Sequence, residues 1–298
     1  MGRKRRGRPV HGWFVLDKPL GMTSAQAVGK IRWAFNAAKA GHAGTLDPMA
    51  TGILPIAMGE ATKVVSAAMD GKKAYRFTIH WGEERDTDDA EGQIVGESQD
   101  RPTPDQIKDT LPLFTGLTEQ VPPIYSAIKV GGTRAYDLAR SGDVPKLKAR
   151  LIMIDELTLL TCPDTDHAVL EMICGKGTYV RGVARDLGRH LGCLGHVSEL
   201  RRVRVGPFDE SVAFLLDKLE DMGHKGALDD LLLPVEAALA DIPAVPVTGP
   251  EADRLRFGQA IRVQHSVEGT IYATVEGRPV ALAKIRAGEV RPVRVFNL

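Results

Sequence analysis

The sequence predicts an α+β protein with a mixed central β-sheet flanked by helices, followed by a small β-rich module. Three stretches carry that expectation. From Lys73 to Trp81 the side chains alternate, with Tyr75, Phe77, Ile79 and Trp81 on one side and Arg76, Thr78 and His80 on the other, the period of a half-buried strand. Thr23 with Gln26 makes a capping box, behind which Val28, Ile31, Phe35 and Ala38 recur at helical spacing. Near the C-terminus four short apolar runs, at 261–264, 270–275, 280–285 and 290–295, follow a helical stretch at 251–257.

Bulk properties set wide bounds. A chain of 298 residues has a prior of roughly two domains, and 43% hydrophobic with 26% charged residues is ordinary for a globular protein. No apolar run approaches the roughly 20 residues of a membrane helix, and the basic start is followed by too short an apolar region for a secretory signal, so a cytoplasmic protein is expected. Cys162, Cys174 and Cys193 lack paired metal-ligand spacing and are odd in number; they read as small packed hydrophobes. Net charge is only +1, but it is segregated. Cations crowd the first eight residues, 129–150 and 176–204, while 83–100 is acidic. That arrangement fits a nucleic-acid face, with a solvated surface as the plainer alternative.

In chain order, 1–9 reads as a disordered basic tail and 13–16 as a strand. The helix after Thr23 should run to a stop at Gly41, and 41–55, punctuated by Gly41, Gly44 and Gly52 and two prolines, should be mostly irregular surface loop. A small-residue strand at 52–58 and a helix from Glu60 to Met69 follow. Residues 82–96 form an acidic loop or hairpin; Thr103-Pro104 opens a helix. The stretch 123–150, long, basic and poor in core residues, is expected as a mobile insertion with a short helix near Tyr136. Strands at 151–160 and 169–174 lead to a helix over 179–191, on which Arg181, Arg185 and Arg189 line one face at four-residue intervals. Such a guanidinium row suits anion contact, or is a solvated face. Helices at 212–219 and 229–239 and a linker at 242–250 complete the larger domain, 10–241, before a module over 246–298. Gly175-Lys176-Gly177 lacks the third glycine of a dinucleotide loop, and no P-loop pattern occurs.

Within 41–55 sits one carboxylate, Asp47, held extended by Pro48. Asp before Pro is often no more than a turn. Its neighbours, His42 and the glycines, favour a chemical role. No ligand cluster near it supports a metal, and no second acid is placed for a two-carboxylate hydrolase. A carboxylate nucleophile needs no cofactor but must stay ionised where substrate excludes water, which an adjacent arginine favours; Arg181 is the candidate.

At this point the residues form a recognisable pattern. Gly41-His42-Ala43-Gly44-Thr45-Leu46-Asp47-Pro48 with Ala50, Gly52 and Leu54 resembles the signature loop of bacterial tRNA pseudouridine-55 synthases, the TruB family. Further segments match in order: His11-Gly12 through Ser24, Lys73-Ala74-Tyr75, Asp86-Thr87-Asp88 with Glu91-Gly92, Val121 through Lys129 with Tyr136, and Gly177-Thr178-Tyr179-Val180-Arg181 with Asp186-Leu187-Gly188. Gly182, where serine is more usual, and Arg85 depart from it. The C-terminal module is similar only in size and pattern to the family's PUA-like RNA-binding barrel.

The resemblance implies the pseudouridine synthase fold and a reaction on uridine 55 of the tRNA T-arm. The base is flipped out and His42 takes its place; Asp47 acts as the nucleophile; the base leaves carbon 1′, turns and rejoins through carbon 5. Tyr75 would stack on the base and help remove the carbon 5 proton, Arg181 would pair with Asp47, and Tyr179 and Leu200 would line the pocket. Lys63 is expected at the pocket edge, and Lys129 in the insertion that grips RNA. No metal, organic cofactor, membrane or obligatory protein partner is implied, and a monomer is expected. Two alternatives remain: a subunit that needs a guide RNA and partner proteins, and a non-catalytic RNA-binding or tRNA-folding protein.

Overall fold

The alternating run Lys73–Trp81 is a strand in the middle of a sheet, between Gly195–Val205 on one side and His167–Cys174 on the other. The sheet continues through Arg150–Thr161 to Gly116–Gln120. Its successive pairs from Lys73–Trp81 outward are antiparallel, placing Tyr75 opposite Met172 and His80 opposite His167. Residues 50–52 run parallel to 200–202. Phe77, Ile79 and Trp81 are buried as the period requires, but Ala74 and Thr78 are too, so both faces are covered and only Arg76 is exposed. Residues 7–143, 145–222 and 226–298 are described in this computed structural model. They fall into two units, one comprising Asp47–Gly52 and Gly71–Arg204, the other the chain up to Leu46, Ile53–Asp70 and the chain from Val205 on.

Two strands of the first unit had no local signal. Gly116–Gln120 exposes Leu117 and so breaks the inward alternation of a core strand. In Gly195–Val205 the arginines at 201, 202 and 204 look like a basic surface run, yet Arg202 is fully buried. The acidic stretch is a hairpin, Glu83–Arg85 against Ile94–Glu97. The insertion carries a two-stranded ribbon, Lys129–Val130 with Thr133–Arg134, and the helix Ala135–Arg140. Cys174 and Cys193 are buried free thiols, each pushed up to about 11 by burial, in keeping with packing rather than reactivity.

In the second unit, Phe214–Leu215, Gly12–Lys18 and Ala50–Met58 lie side by side, with Ala40–His42 antiparallel to the last. The capping box at Thr23 is present, but the helix Ser24–Ala34 stops well before Gly41. Asn36 turns to φ 47°, and its carbonyl and the Ala38 N–H bond the backbone of Arg8. Arg8 is therefore built into the fold, its guanidinium on Asp229, rather than part of a disordered tail; residues 1–6 of that tail lie outside the described residues. Because Ala40–His42 and Ala50–Met58 are strands, the expected loop of 41–55 contracts to 43–49, with Ala43, Leu46 and Met49 buried. The helix expected at 229–239 is two short 3-10 turns, Gly226–Leu231 and Val235–Leu239, on either side of Pro234, which cannot continue a helix.

The C-terminal sheet has the order Ala244–Pro246, Gly269–Val275, Arg278–Arg286, Glu289–Val295, Ile261–Arg262, with the helix Gly249–Arg256 packed on it. It has its own core around Val245, Leu255, Ile271, Ile285 and Val290. The stretch expected as a linker thus supplies its first strand, parallel to Gly269–Val275. A second core joins this module to the N-terminal strands: Phe296 is buried among Trp13, Phe208, Val235 and Leu239, with Tyr272 and Leu282 against them. A shared core explains why no division of the chain falls near 242–246. No described helix is long and apolar enough to cross a membrane.

Candidate active site

Asp47 and Arg181, 134 residues apart in the chain, meet: a guanidinium nitrogen of Arg181 lies 2.9 Å from Asp47 Oδ2. Arg181 stands in the first turn of the helix Val180–His190 and is buried. It also forms an ion pair with Asp89 Oδ2 at 3.2 Å and donates hydrogen bonds to the carbonyl of Thr87 at 2.8 Å and the carbonyl of Tyr125 at 2.9 Å. Each terminal nitrogen so combines one hydrogen bond to a carbonyl with one close ion pair to a carboxylate, which holds the planar fork in place. Asp89 is held as firmly, its other oxygen accepting from the Thr87 hydroxyl and the Glu91 N–H. Asp47 is different. Its side chain keeps 36% of its surface exposed, leaving the carboxylate open to a substrate while a buried cation fixes one of its oxygens.

The loop carrying Asp47 closes on the strand Gly195–Val205. Ala50 N–H returns to the Asp47 carbonyl, and Gly52 lies beside Arg202 in parallel register. Gly52 has φ +99°, and a Cβ there would stand 2.2 Å from the Arg202 carbonyl oxygen, so both conformation and space demand glycine. Leu200, two residues back, is buried opposite Ala50.

Arg202 was legible only as one of a basic run. Fully buried, it has its charge disfavoured by desolvation, opposed by the Tyr75 hydroxyl, to which it donates, and by Asp47. Burial in turn pushes the Tyr75 phenol above its usual range, although Arg202 pulls the other way. Tyr75 is therefore a neutral phenol at physiological pH, its side chain half-buried by accessible surface. Asp47 sits in the field of two guanidinium groups, that of Arg181 in contact and that of Arg202, which is bonded to Tyr75.

Tyr179 precedes the helix, its backbone N–H and carbonyl both bonded to the side chain of Gln120, at 2.9 and 3.0 Å. Arg150 lies over its ring at 5.2 Å. Gln120 had no sequence signal, yet it sets the start of the arginine-bearing helix. It also accounts for Gly182: a Cβ there would be 2.9 Å from the Gln120 amide carbon. The next arginine of the row, Arg185, is also buried, on Asp88, Asp186 and the Val121 carbonyl, and only Arg189, on Glu84, is exposed. The anions that meet this row are thus carboxylates of the protein itself.

Lys129 is exposed on the ribbon of the insertion. His42 belongs to the other unit, half-buried in register with Ile56. Lys63, in that same unit, bonds Glu60 at 2.6 Å and the Val295 carbonyl at 2.8 Å, a clasp between distant parts of the chain. Among the described residues, one group of side chains has metal-ligand chemistry: His80, Glu83 and His196.

Comparison with known proteins places this arrangement. Residues 32–180 match the model of the TruB family pseudouridylate synthase N-terminal domain, and 181–240 that of the tRNA pseudouridylate synthase B C-terminal domain. The chain belongs to the TruB family. A tRNA pseudouridine synthase B of Rhodopseudomonas palustris is 57% identical, the match covering 100% of this chain and 84% of that protein. One from Bradyrhizobium diazoefficiens is 56% identical over 99% of this chain and 88% of its own. A crystal structure of a Cbf5–Nop10–Gar1 complex matches with TM-score 0.75 over 100% of this chain and 90% of that one, at 24% identity, a likeness of fold. The TruB chain described here accordingly has the pseudouridine synthase fold with a PUA-like C-terminal module.

Proposed function

We propose that this protein converts uridine 55 in the T-loop of tRNA to pseudouridine, acting alone, with Asp47 as the initiating nucleophile. The observation that carries the reading is the half-open Asp47 carboxylate paired with a buried Arg181, in a chain more than half identical over its whole length to proteins named tRNA pseudouridine synthase B. The reaction breaks the bond from ribose carbon 1′ to N1 and makes one to carbon 5. The proton lost from carbon 5 is balanced by one gained at N1, so no oxidant or energy source is consumed. Asp47 attacks while Arg181 holds its other lone pairs and orientation. A neutral Tyr75 offers its ring to the flipped base; if the carbon 5 proton leaves through it, the hydroxyl must relay rather than receive as a phenolate. Tyr179 and Leu200 line the pocket. His42 takes the space that the base vacates, and exposed cations such as Lys129 hold phosphates to offset a flipping cost of a few kcal/mol.

The test is purified protein on a T-arm stem-loop carrying tritium at carbon 5 of the target uridine. Wild type should release tritium with no other RNA or protein present, and Asp47→Asn should bind the stem-loop equally and release none. Product from Asp47→Asn at the normal rate removes the proposed nucleophile. Release only after a guide RNA is added would favour the guide-dependent reading, and binding without product under either condition the non-catalytic one.

A further inference from the structure

On the strand Lys73–Trp81, beyond the residues that serve Asp47, His80 comes together with Glu83 of the acidic hairpin and His196 of Gly195–Val205. One donor atom from each lies within 4.8 Å of the others. We propose that these three side chains bind a divalent ion of the zinc class and so staple the base of the acidic hairpin to the central sheet.

The donor set is two imidazoles and a carboxylate, which selects a borderline transition ion over magnesium or calcium, whose sites are built from oxygen. Three protein ligands and a solvent molecule complete a tetrahedron. The orientation of the ligands is already provided. His196, buried, has its Nδ1 3.0 Å from the main-chain carbonyl of Glu83. A carbonyl can only accept, so Nδ1 carries the proton and Nε2 presents its lone pair. The described bonds from Arg85 to Glu83 both fall on Oε2, at 2.7 and 3.2 Å, so Arg85 can remain an outer partner while Oε1 turns to the ion. The His80 ring packs 5.2 Å from that of His196, nearly edge-on, and 4.8 Å from that of His167. His167 is itself fixed by Asp164, at 2.8 Å, and walls the His80 ring on that side. Arg101, also near His80, is paired with Asp166. The donors need to draw in by up to about 1.4 Å to reach the roughly 3.4 Å spacing of a tetrahedral site, a move within reach of two half-buried side chains.

Such an ion would act on structure, not on uridine. The hairpin begins at Glu83, and the residues just after it supply Glu84 to Arg189, Asp88 to Arg185, and Thr87 and Asp89 to Arg181. Fixing its first residue to two neighbouring strands would stiffen the scaffold that holds the arginines.

The test uses full-length protein stripped with a chelator and then titrated with Zn2+, or with Co2+ as a spectroscopic substitute. Wild type should bind one equivalent with a dissociation constant of roughly micromolar or tighter, give the visible absorption of tetrahedral Co2+, and melt at a higher temperature with metal than without. His80→Gln, at a half-buried position, should lose at least about 10-fold in affinity and the metal-dependent rise in Tm, while melting normally in chelator. Glu83→Gln should do the same, so that a folding defect in one variant does not decide the matter. No stoichiometric binding by wild type, or binding that both variants retain in full, overturns the site.

Discussion

Two stretches of this chain look equally basic in sequence and are opposites in space. In 129–150, Lys129, Arg140, Lys146 and Lys148 are exposed, cations on a surface where a polyanion can reach them. In 176–204, Arg181, Arg185 and Arg202 are buried, each with a carboxylate or phenol of the protein as partner. The first stretch is suited to contact with phosphate, and the second is the frame of the candidate site. Composition could not separate them, since charge alone does not tell whether its partner is internal or external.

Perturbing the inner set should be catastrophic for turnover. Arg181→Ala should lower kcat by at least about 100-fold in the tritium-release assay, because Asp47 loses its fixed partner and Asp89 is left buried and unpaired. Arg181→Lys should recover little, since an ammonium cannot reproduce two directed bonds and two ion pairs spread over one planar group.

The neighbouring pair tests stability. Arg185→Met strands Asp88 in the interior and should cost about 3–5 kcal/mol, a loss of Tm on the order of 10 °C by calorimetry. Arg185→Met with Asp88→Leu should recover part of that loss, since Asp88 is then no longer a buried charge without its partner. Burial raises the Asp88 carboxyl to about 6, with Arg185 opposing the shift. Its folded value lies above the unfolded one. The contribution of this group to stability is therefore fully present below about pH 4 and is lost as pH rises through about 6. A carboxyl carbon resonance of Asp88 that titrates near 4 instead would contradict this.

A smaller effect is expected at Gly182. Replacing it by Ser forces Gln120 away from the Tyr179 backbone, at a cost of about 1–2 kcal/mol in chemical denaturation. An unchanged midpoint would mean that Gln120 rearranges freely. The outer set should be the mildest: Lys146→Ala with Lys148→Ala should leave stability within about 0.5 kcal/mol, yet flatten the salt dependence of T-arm binding by roughly 0.7–0.9 per charge removed. Equal slopes for variant and wild type would place the RNA elsewhere.

The same contrast explains what the sequence made legible. Lys73–Trp81 and the Thr23 capping box are local patterns, and the structure reproduces both. The closeness of Asp47 and Arg181 followed from chemistry, a lone carboxylate in want of a cation, and from family resemblance. Gln120 and Arg202 were out of reach, because their roles rest on partners 59 and 127 residues away that no periodicity announces. The strand Gly195–Val205 was hidden by the arginines that make it useful. His80, Glu83 and His196 escaped notice likewise, the last two lying 113 positions apart.

The clasp at Lys63 and Glu60 has a consequence for synthesis. Val295 and Asn297 bond to it, and Phe296 completes the core that contains Trp13. During translation, therefore, the strand around Trp13 waits, incompletely shielded from water, until 295–297 have been made, whereas the strands of 73–204 lie within one continuous span. Polar substitutions at 295–297 would therefore disturb the packing of Trp13, nearly the whole length of this sequence away.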